Sequence, residues 1–316
     1  MVSALCGVAE MAMAVPLGSL CDMLAENAPI GRAQRDRPMK VYITIDAEGV
    51  AGITDWNQIR TKGDDFAVGR RLLLGELNAA IDGVLAVDPQ AEIVVNDSHA
   101  TMRNYPPDEL HGTAQLIAGQ HKPLYMMEGL DATCDAILCI GYHGSIGAHP
   151  AILSHTYNPR AIWEVRLDGR AVGELALNGL VAAHYQVPIV LVSGDEATAG
   201  ESRALVPEIE TVIVKTSQGR FAATNLHPSV ARERLRLGVQ HALTTMAGRD
   251  LVPHYARPAR FEVTFLTADM AEACMPLRGV ERVPEQTRTV ACVGDDLLAV
   301  FRAFIGMVMI TRALVE

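Results

Sequence analysis

The sequence has little basic charge. Its 27 Lys and Arg stand against 37 Asp and Glu, a formal net charge of −10 at pH 7. Binding nucleic acid requires a basic surface that neutralises phosphates, so no nucleic-acid partner is expected. No stretch of roughly 20 apolar residues reads as a membrane span. The nearest, Leu297 to Ile310, is interrupted by Arg302 and reads as a buried C-terminal helix, so no membrane association is expected. Cysteines are few and scattered, at 6, 21, 134, 139, 274 and 292, with no C-x-x-C among them. That pattern indicates reduced structural thiols and a cytoplasmic location. Also missing are a G-x-S-x-G elbow, a P-loop, a G-x-G-x-x-G after the first strand, and any internal repeat. With 26 Gly and 16 Pro, the chain is neither collagen-like nor of low complexity.

What is present is enough apolar material for a substantial core: 49% hydrophobic residues and 20% charged over 316 positions. Residues 1–38 hold a mildly apolar segment and then a polar stretch ending Asp36-Arg37-Pro38. No Lys or Arg precedes Arg32, so the segment does not read as a signal peptide. It is expected to be a poorly ordered extension, with the folded part opening at Met39-Lys40.

From there, short apolar runs alternate with helical periodicity. Val41–Ile45 reads as a strand, and Phe66 to Leu85 as a helix with Leu73, Leu77, Ala80, Ile81 and Val84 on one face. Glu92–Val95, Ala136–Ile140 and Ile189–Val192 read as further strands, and Glu174 to Tyr185 as a helix. Continuous apolar strands separated by helices predict an α/β fold, a mostly parallel sheet with helices on both faces. After a helix near Ser229–Met246, the pattern changes to an alternating strand at Phe261–Phe265, another near Thr287–Val293, and the final helix. These predict a smaller C-terminal α+β subdomain over 252–316, beside a catalytic domain over 39–251.

The polar residues that follow the strands carry the chemistry. The first strand ends Asp46-Ala47-Glu48-Gly49, the second Asn96-Asp97-Ser98-His99, the third Gly141-Tyr142-His143. In an open α/β sheet the carboxyl ends of the strands share one rim, where ligands bind. Alternation puts Asp46 and Glu48 on one side, where two carboxylates need a proton or a cation between them. Two histidines on the same rim complete a mixed oxygen and nitrogen donor set that suits zinc, with manganese or cobalt also open. Taken singly, an Asp-x-Glu is usually a solvated loop and a histidine after a strand usually a hydrogen-bonded structural residue. Their coincidence at three strand ends favours a metal. Glu174, opening its helix, has an ordinary reading as a first-turn carboxylate facing the helix dipole. His155 lies downstream of the third strand, and His149 is near enough to line the same site. Asn96 and Asp97 flank His99 and are expected to support it.

Together these segments resemble the zinc-dependent D-aminopeptidases associated with dipeptide transport operons. The family's S-x-D-x-E-G appears as Thr44-Ile45-Asp46-Ala47-Glu48-Gly49, with Thr for Ser. Asn96–His99, Gly141–His143, Ser154-His155, Val172–Asn178, Met127–Leu130 and Gly194-Asp195 resemble it too, in the same order. The resemblance implies two Zn2+ ions per subunit, ligated by Asp46, Glu48, His99, His143 and Glu174. It implies that His155 is the catalytic histidine, described in the family as the nucleophile, although a general-base or oxyanion-stabilising role is equally open. It further implies release of N-terminal D-residues such as D-Ala from short peptide substrates, in a ring-like homo-oligomer. The residues alone leave open a two-metal amidase or phosphoesterase, or a non-catalytic peptide-binding protein.

Overall fold

A computed structural model of the chain describes residues 37–315. The expectation for residues 1–38 therefore lies outside the described residues, apart from Arg37 and Pro38. The same holds for Cys6 and Cys21.

Six strands form a wholly parallel sheet. They are β1 (Lys40–Ile45), β2 (Glu92–Asp97), β3 (Gln115–Ile117), β4 (Ala136–Ile140), β7 (Ile189–Gly194) and β8 (Glu210–Ile213). Their spatial order is β3-β2-β1-β4-β7-β8, so the winding reverses between β1 and β4. Such a reversal opens a crevice at the carboxyl ends of the two strands. Val41, Tyr42 and Ile43 are successive residues and all are 0% exposed. Because neighbouring side chains point to opposite faces, both faces of this sheet are covered. Helix α1 (Phe66–Val87) packs on α4 (Pro228–Thr245), and α4 also packs on β7 and β8. Asp88-Pro89 ends α1, since Pro disfavours a helical residue before it.

The second sheet combines β11 (Ala259–Phe265), β12 (Val280–Arg282) and β13 (Thr289–Gly294) with β5 (Ile162–Leu167) and β6 (Arg170–Ala171). It is antiparallel, in the order β12-β13-β11-β5-β6. Two of its five strands thus precede residue 252, because the chain leaves the first sheet after β4 and returns through α2 (Glu174–Tyr185). Buried and half-buried residues alternate along β11, as expected for a sheet packed on one face. The last helix, α6 (Leu297–Val315), is long and apolar enough by composition to cross a membrane. Here its Val300, Phe301, Phe304, Met307 and Val308 are buried, and the helix packs against α2, β11 and β13. Helices α3 (Glu196–Leu205) and α5 (Ala268–Cys274) and the hairpin of β9 (Lys215–Gly219) and β10 (Ala222–Asn225) complete the α-helices and strands of the described residues.

Candidate metal centre

The loop after β1 crosses the loop after β4 at the reversal point. Gly49 N–H donates to Gly141 O at 2.8 Å, and a side-chain carbon on Gly49 would lie 1.8 Å from Tyr142 O. Only glycine allows that approach, so the Gly of the Asp-x-Glu-Gly motif serves to bring Asp46 and Glu48 beside His143. The loop is also held from behind. Buried Lys215 donates from Nζ to Glu48 O at 2.7 Å and to Ile53 O at 2.6 Å. Buried Glu76 accepts from Ala51 N–H at 2.8 Å. One ammonium and one carboxylate thereby satisfy main-chain groups that the turn leaves unpaired. Burial lowers the Lys215 ammonium to about 7 against the pull of Glu76, and raises Glu76 to about 7.

A similar brace lies under β2. Lys122, also buried, donates to Asn96 Oδ1 at 2.5 Å and Asp97 O at 2.6 Å. Asp97 accepts from Asn104 N at 2.6 Å and Asn104 Nδ2 at 2.9 Å, and more weakly from His99 N at 3.4 Å. The residues flanking His99 therefore hold its backbone, while its ring is fixed elsewhere, against Ile59 O at 3.0 Å. A short turn at Trp56–Gln58 sets that carbonyl, with Asp55 and Gln58 capping each other's backbone. Thr44, at the serine position of the motif, uses its hydroxyl. It contacts Ser98 Oγ at 2.7 Å and donates to Met126 O at 2.8 Å.

Asp46, Glu48, His99, His143, His155 and Glu174 converge, and all six are buried. His99 Nδ1 lies 3.1 Å from Asp46 Oδ1 and 3.2 Å from Glu48 Oε2. His143 Nε2 lies 3.4 Å from Asp46 Oδ2 and 3.7 Å from Glu174 Oε1. His155 Nε2 is 3.7 Å from Glu174 Oε1, and its ring stacks on His143 with centroids 4.2 Å apart. Each imidazole turns its other nitrogen to a carbonyl: His99 Nε2 to Ile59 O, His143 Nδ1 to Gly144 O, His155 Nδ1 to Leu153 O. A carbonyl only accepts, so those nitrogens carry N–H and the opposite ones face the carboxylates.

In the neutral rings, nitrogen lone pairs and carboxylate oxygens confront one another at 3–4 Å, which requires protons or cations between them. Without a metal, protons take that place. Burial opposes charge on His99 and His143, but Glu48 and Glu174 respectively, with Asp46, overcome it and raise both histidines well above their ordinary value. Burial likewise works against ionised Asp46, yet His143 and His99 hold it well below its usual value. Burial raises Glu174 to about 8. Burial and then the neighbouring His143 lower His155 to about 4, leaving it neutral.

Both carboxylate oxygens of Glu48 and Nε2 of His143 are buried and, beyond the ion-pair contacts to His99, Asp46 and Glu174, have no well-aligned hydrogen-bond partner among the described residues. Unsatisfied buried polar atoms are costly, and a bound cation would satisfy all three. The donor atoms of Asp46, Glu48 and His99 lie within 4.8 Å of one another, as do those of Asp46, His143 and Glu174. Asp46 is common to both groups, with Oδ1 toward His99 and Oδ2 toward His143. Glu48, His143 and His155 form a third such group. Carboxylate and imidazole donors fit zinc.

His149 lines a different cavity of about 400 Å³, with Trp163, Arg220 and Leu266. Other motif residues brace the fold. Asp195 accepts from Ile152 N at 3.0 Å and Ser217 Oγ at 2.6 Å, fixing the turn that leads to His155. Asn178 donates to Tyr142 Oη at 2.9 Å. Sequence reading missed Lys122, Lys215, Glu76 and Trp56. A lysine closing the apolar run Val212-Ile213-Val214 was the one signal for Lys215, and a solvated strand end explains such a lysine equally well.

The D-aminopeptidase family profile matches residues 39–305. A D-aminopeptidase of Bacillus subtilis (strain 168) is 33% identical over 274 residues, covering 85% of this chain and 96% of that protein. The solved structure of the Zn-dependent D-aminopeptidase DppA from Bacillus subtilis, a self-compartmentalizing protease, superposes with a TM-score of 0.82. It is 30% identical, and the match covers 87% of this chain and 98% of that one. Matched from the first strand into the last helix, the chain belongs to the D-aminopeptidase family of hydrolases.

Proposed function

We propose that the cluster is a two-zinc centre, with Asp46, Glu48 and His99 holding one ion and Asp46, His143 and Glu174 the other. The chain is then a zinc-dependent aminopeptidase that releases N-terminal D-residues, D-Ala among them, from short peptides. The observation that carries this reading is the set of orphaned donors, both Glu48 oxygens and His143 Nε2, inside a buried cluster. The zinc dependence of the Bacillus subtilis relative supports the choice of metal. Bound zinc supplies Lewis acidity at the scissile carbonyl and an anchor for a free α-amine.

The protein's own groups do the rest. Ile59, Gly144 and Leu153 carbonyls fix the three imidazoles, so the donor atoms are pre-aimed and little reorganisation is needed on binding. Burial and the neighbouring His143 favour neutral His155, which presents Nε2 to the cluster, stacked on His143 and edge-to-face with Trp56 at a centroid distance of 5.4 Å. As general base it would take a proton from the water that attacks the scissile carbonyl and pass it to the amine that leaves as the C–N bond breaks. Asp195 keeps the 152–155 turn in place while this happens.

A ring-like homo-oligomer in the cytoplasm belongs to the same proposal. The self-compartmentalizing relative supports assembly, as do Trp163 and Leu266, exposed at 58% and 38% beside the second cavity. The four described cysteines are free thiols, which supports a reducing compartment. The test is metal analysis of purified protein, then a paired assay on D-Ala and L-Ala p-nitroanilides, with sedimentation for assembly. Zinc in the protein and a preference for the D-substrate are expected. Protein that takes up no zinc, or that prefers the L-substrate, would overturn the reading.

A further inference from the structure

The cavity in front of the cluster, about 170 Å³, has two chemically opposite poles. Asp46, Glu48 and Glu174 line it as buried acids. Arg60, Arg160 and Arg312 line it as well, and Arg60 and Arg160 are exposed, so the acids form the floor and the arginines the rim. Bound cations would answer the acids of the floor and leave the charge of Arg60 and Arg160 for a ligand. Among the described residues, neither Arg60 nor Arg160 takes part in an ion pair with a carboxylate; the Arg60 guanidinium instead lies 5.1 Å from the Trp56 ring centroid. Arg160 Nη1 donates to Val315 O at 3.1 Å, one of the five N–H donors of a guanidinium. Arg312 is already engaged, with Gln120 Oε1 at 2.7 Å and Tyr125 Oη at 3.3 Å among its partners.

We infer that this arginine rim is a subsite for a free carboxylate, the C-terminus of a very short peptide whose α-amine is held at the metal floor. The inference rests on the aminopeptidase reading and adds to it a requirement at the far end of the substrate. Guanidinium groups match a carboxylate in charge and in planar, two-pronged geometry. Arg60 is joined to the reacting end through one aromatic ring, Trp56, whose centroid lies 5.4 Å from that of His155 and 5.1 Å from the Arg60 guanidinium. A peptide advances at most about 3.6 Å per residue, so a two-residue substrate carries its carboxylate roughly 7 Å outward from its amine. Longer peptides place an uncharged amide at that point and lose the contact.

The experiment uses the zinc-loaded full chain and two substrates of equal size, D-Ala-D-Ala and its C-terminal carboxamide. The expected ratio of kcat/KM, acid over amide, is about 10- to 100-fold, the scale of one charge-assisted hydrogen-bonded pair. In the double variant Arg60→Gln/Arg160→Gln the ratio falls to near one, mainly through KM on the acid. Arg60→Lys, which keeps charge but not the fork, retains part of it. A wild-type ratio near one, or a double variant that keeps the wild-type ratio, would overturn the subsite. Should the double variant fail to hold zinc, Arg60→Gln alone is read in the same way, and a ratio left at the wild-type value overturns the subsite. Failure to hydrolyse either compound would sink the aminopeptidase reading instead. Calorimetric titration of the same pair then decides the subsite, with tighter binding of the acid supporting it and equal affinities overturning it.

Discussion

The two sheets treat their polar residues differently. In the parallel sheet every strand points the same way, so the residues after β1, β2 and β4 reach one edge, and Asp46, Glu48, His99 and His143 meet there. In the antiparallel sheet successive strands end at opposite edges, and no comparable cluster forms on it among the described residues. Its charged residues pair locally instead, Arg166 with Glu164 and Arg260 with Glu262. The lesson concerns direction rather than composition: a parallel sheet concentrates chemistry at one edge, and an antiparallel one distributes it. His155 and Glu174 occupy an intermediate position. They flank the excursion from the first sheet into the second and are carried back to the parallel edge by the start of α2.

Substitutions at the parallel edge are expected to have the largest effect. His99→Ala should lose zinc and activity together, read by metal content and turnover. His155→Ala should keep zinc near the wild-type level while turnover drops by on the order of 10²–10⁴, the scale of a positioned acid–base group. Equal loss of zinc in both variants would make His155 a ligand and extend the cluster beyond the strand ends.

The complementary change lies in the other sheet. Phe261 on β11 is fully buried, and Phe261→Ala should cost about 3–5 kcal/mol in denaturant unfolding. Zinc affinity of the folded variant should stay at the wild-type value. A weakened zinc site would break the distinction between the sheets, because it would show the antiparallel core tuning the edge.

A smaller effect is expected behind the β1 loop. Lys215→Met keeps most of the bulk but leaves Glu48 O and Ile53 O without their donor. Zinc affinity should fall by about 10- to 100-fold in chelator competition, the usual penalty for removing a supporting partner. An unchanged affinity would show that the Gly49–Gly141 crossing positions the loop alone.

The sequence was most legible where a short-range rule applied. Parallel strands read as unbroken apolar runs, and Ala136–Ile140 and the helix Glu174–Tyr185 are found with the bounds the periodicity predicts. Short or half-exposed elements were not legible. β3 has three residues, β6 has two, and β5 mixes buried, half-buried and exposed positions over Ile162–Leu167 without strict alternation. Their strand character comes from partners distant in sequence, β2 for β3 and β11 for β5. In the site, the strand-end acids and histidines announced themselves by position. Glu76, Lys122 and Lys215 did not, because a lone charged residue in a helix, in a loop or at a strand end carries no mark of burial.

By itself, then, the sequence determined the strand ends that bear Asp46, Glu48, His99 and His143 and the parallel fold that gathers them, since period and residue type are local properties, while Glu174 and His155 were reached only through the family resemblance. Only the tertiary structure decided three other things. It made Asp46 common to both donor groups, turned the His99 imidazole by the carbonyl of Ile59 from another segment, and set Arg60 and Arg160 around the same cavity as the buried acids. Each depends on distances between residues dozens of positions apart, and those are fixed by how the strands are ordered and where the chain crosses itself, at Gly49 and Gly141.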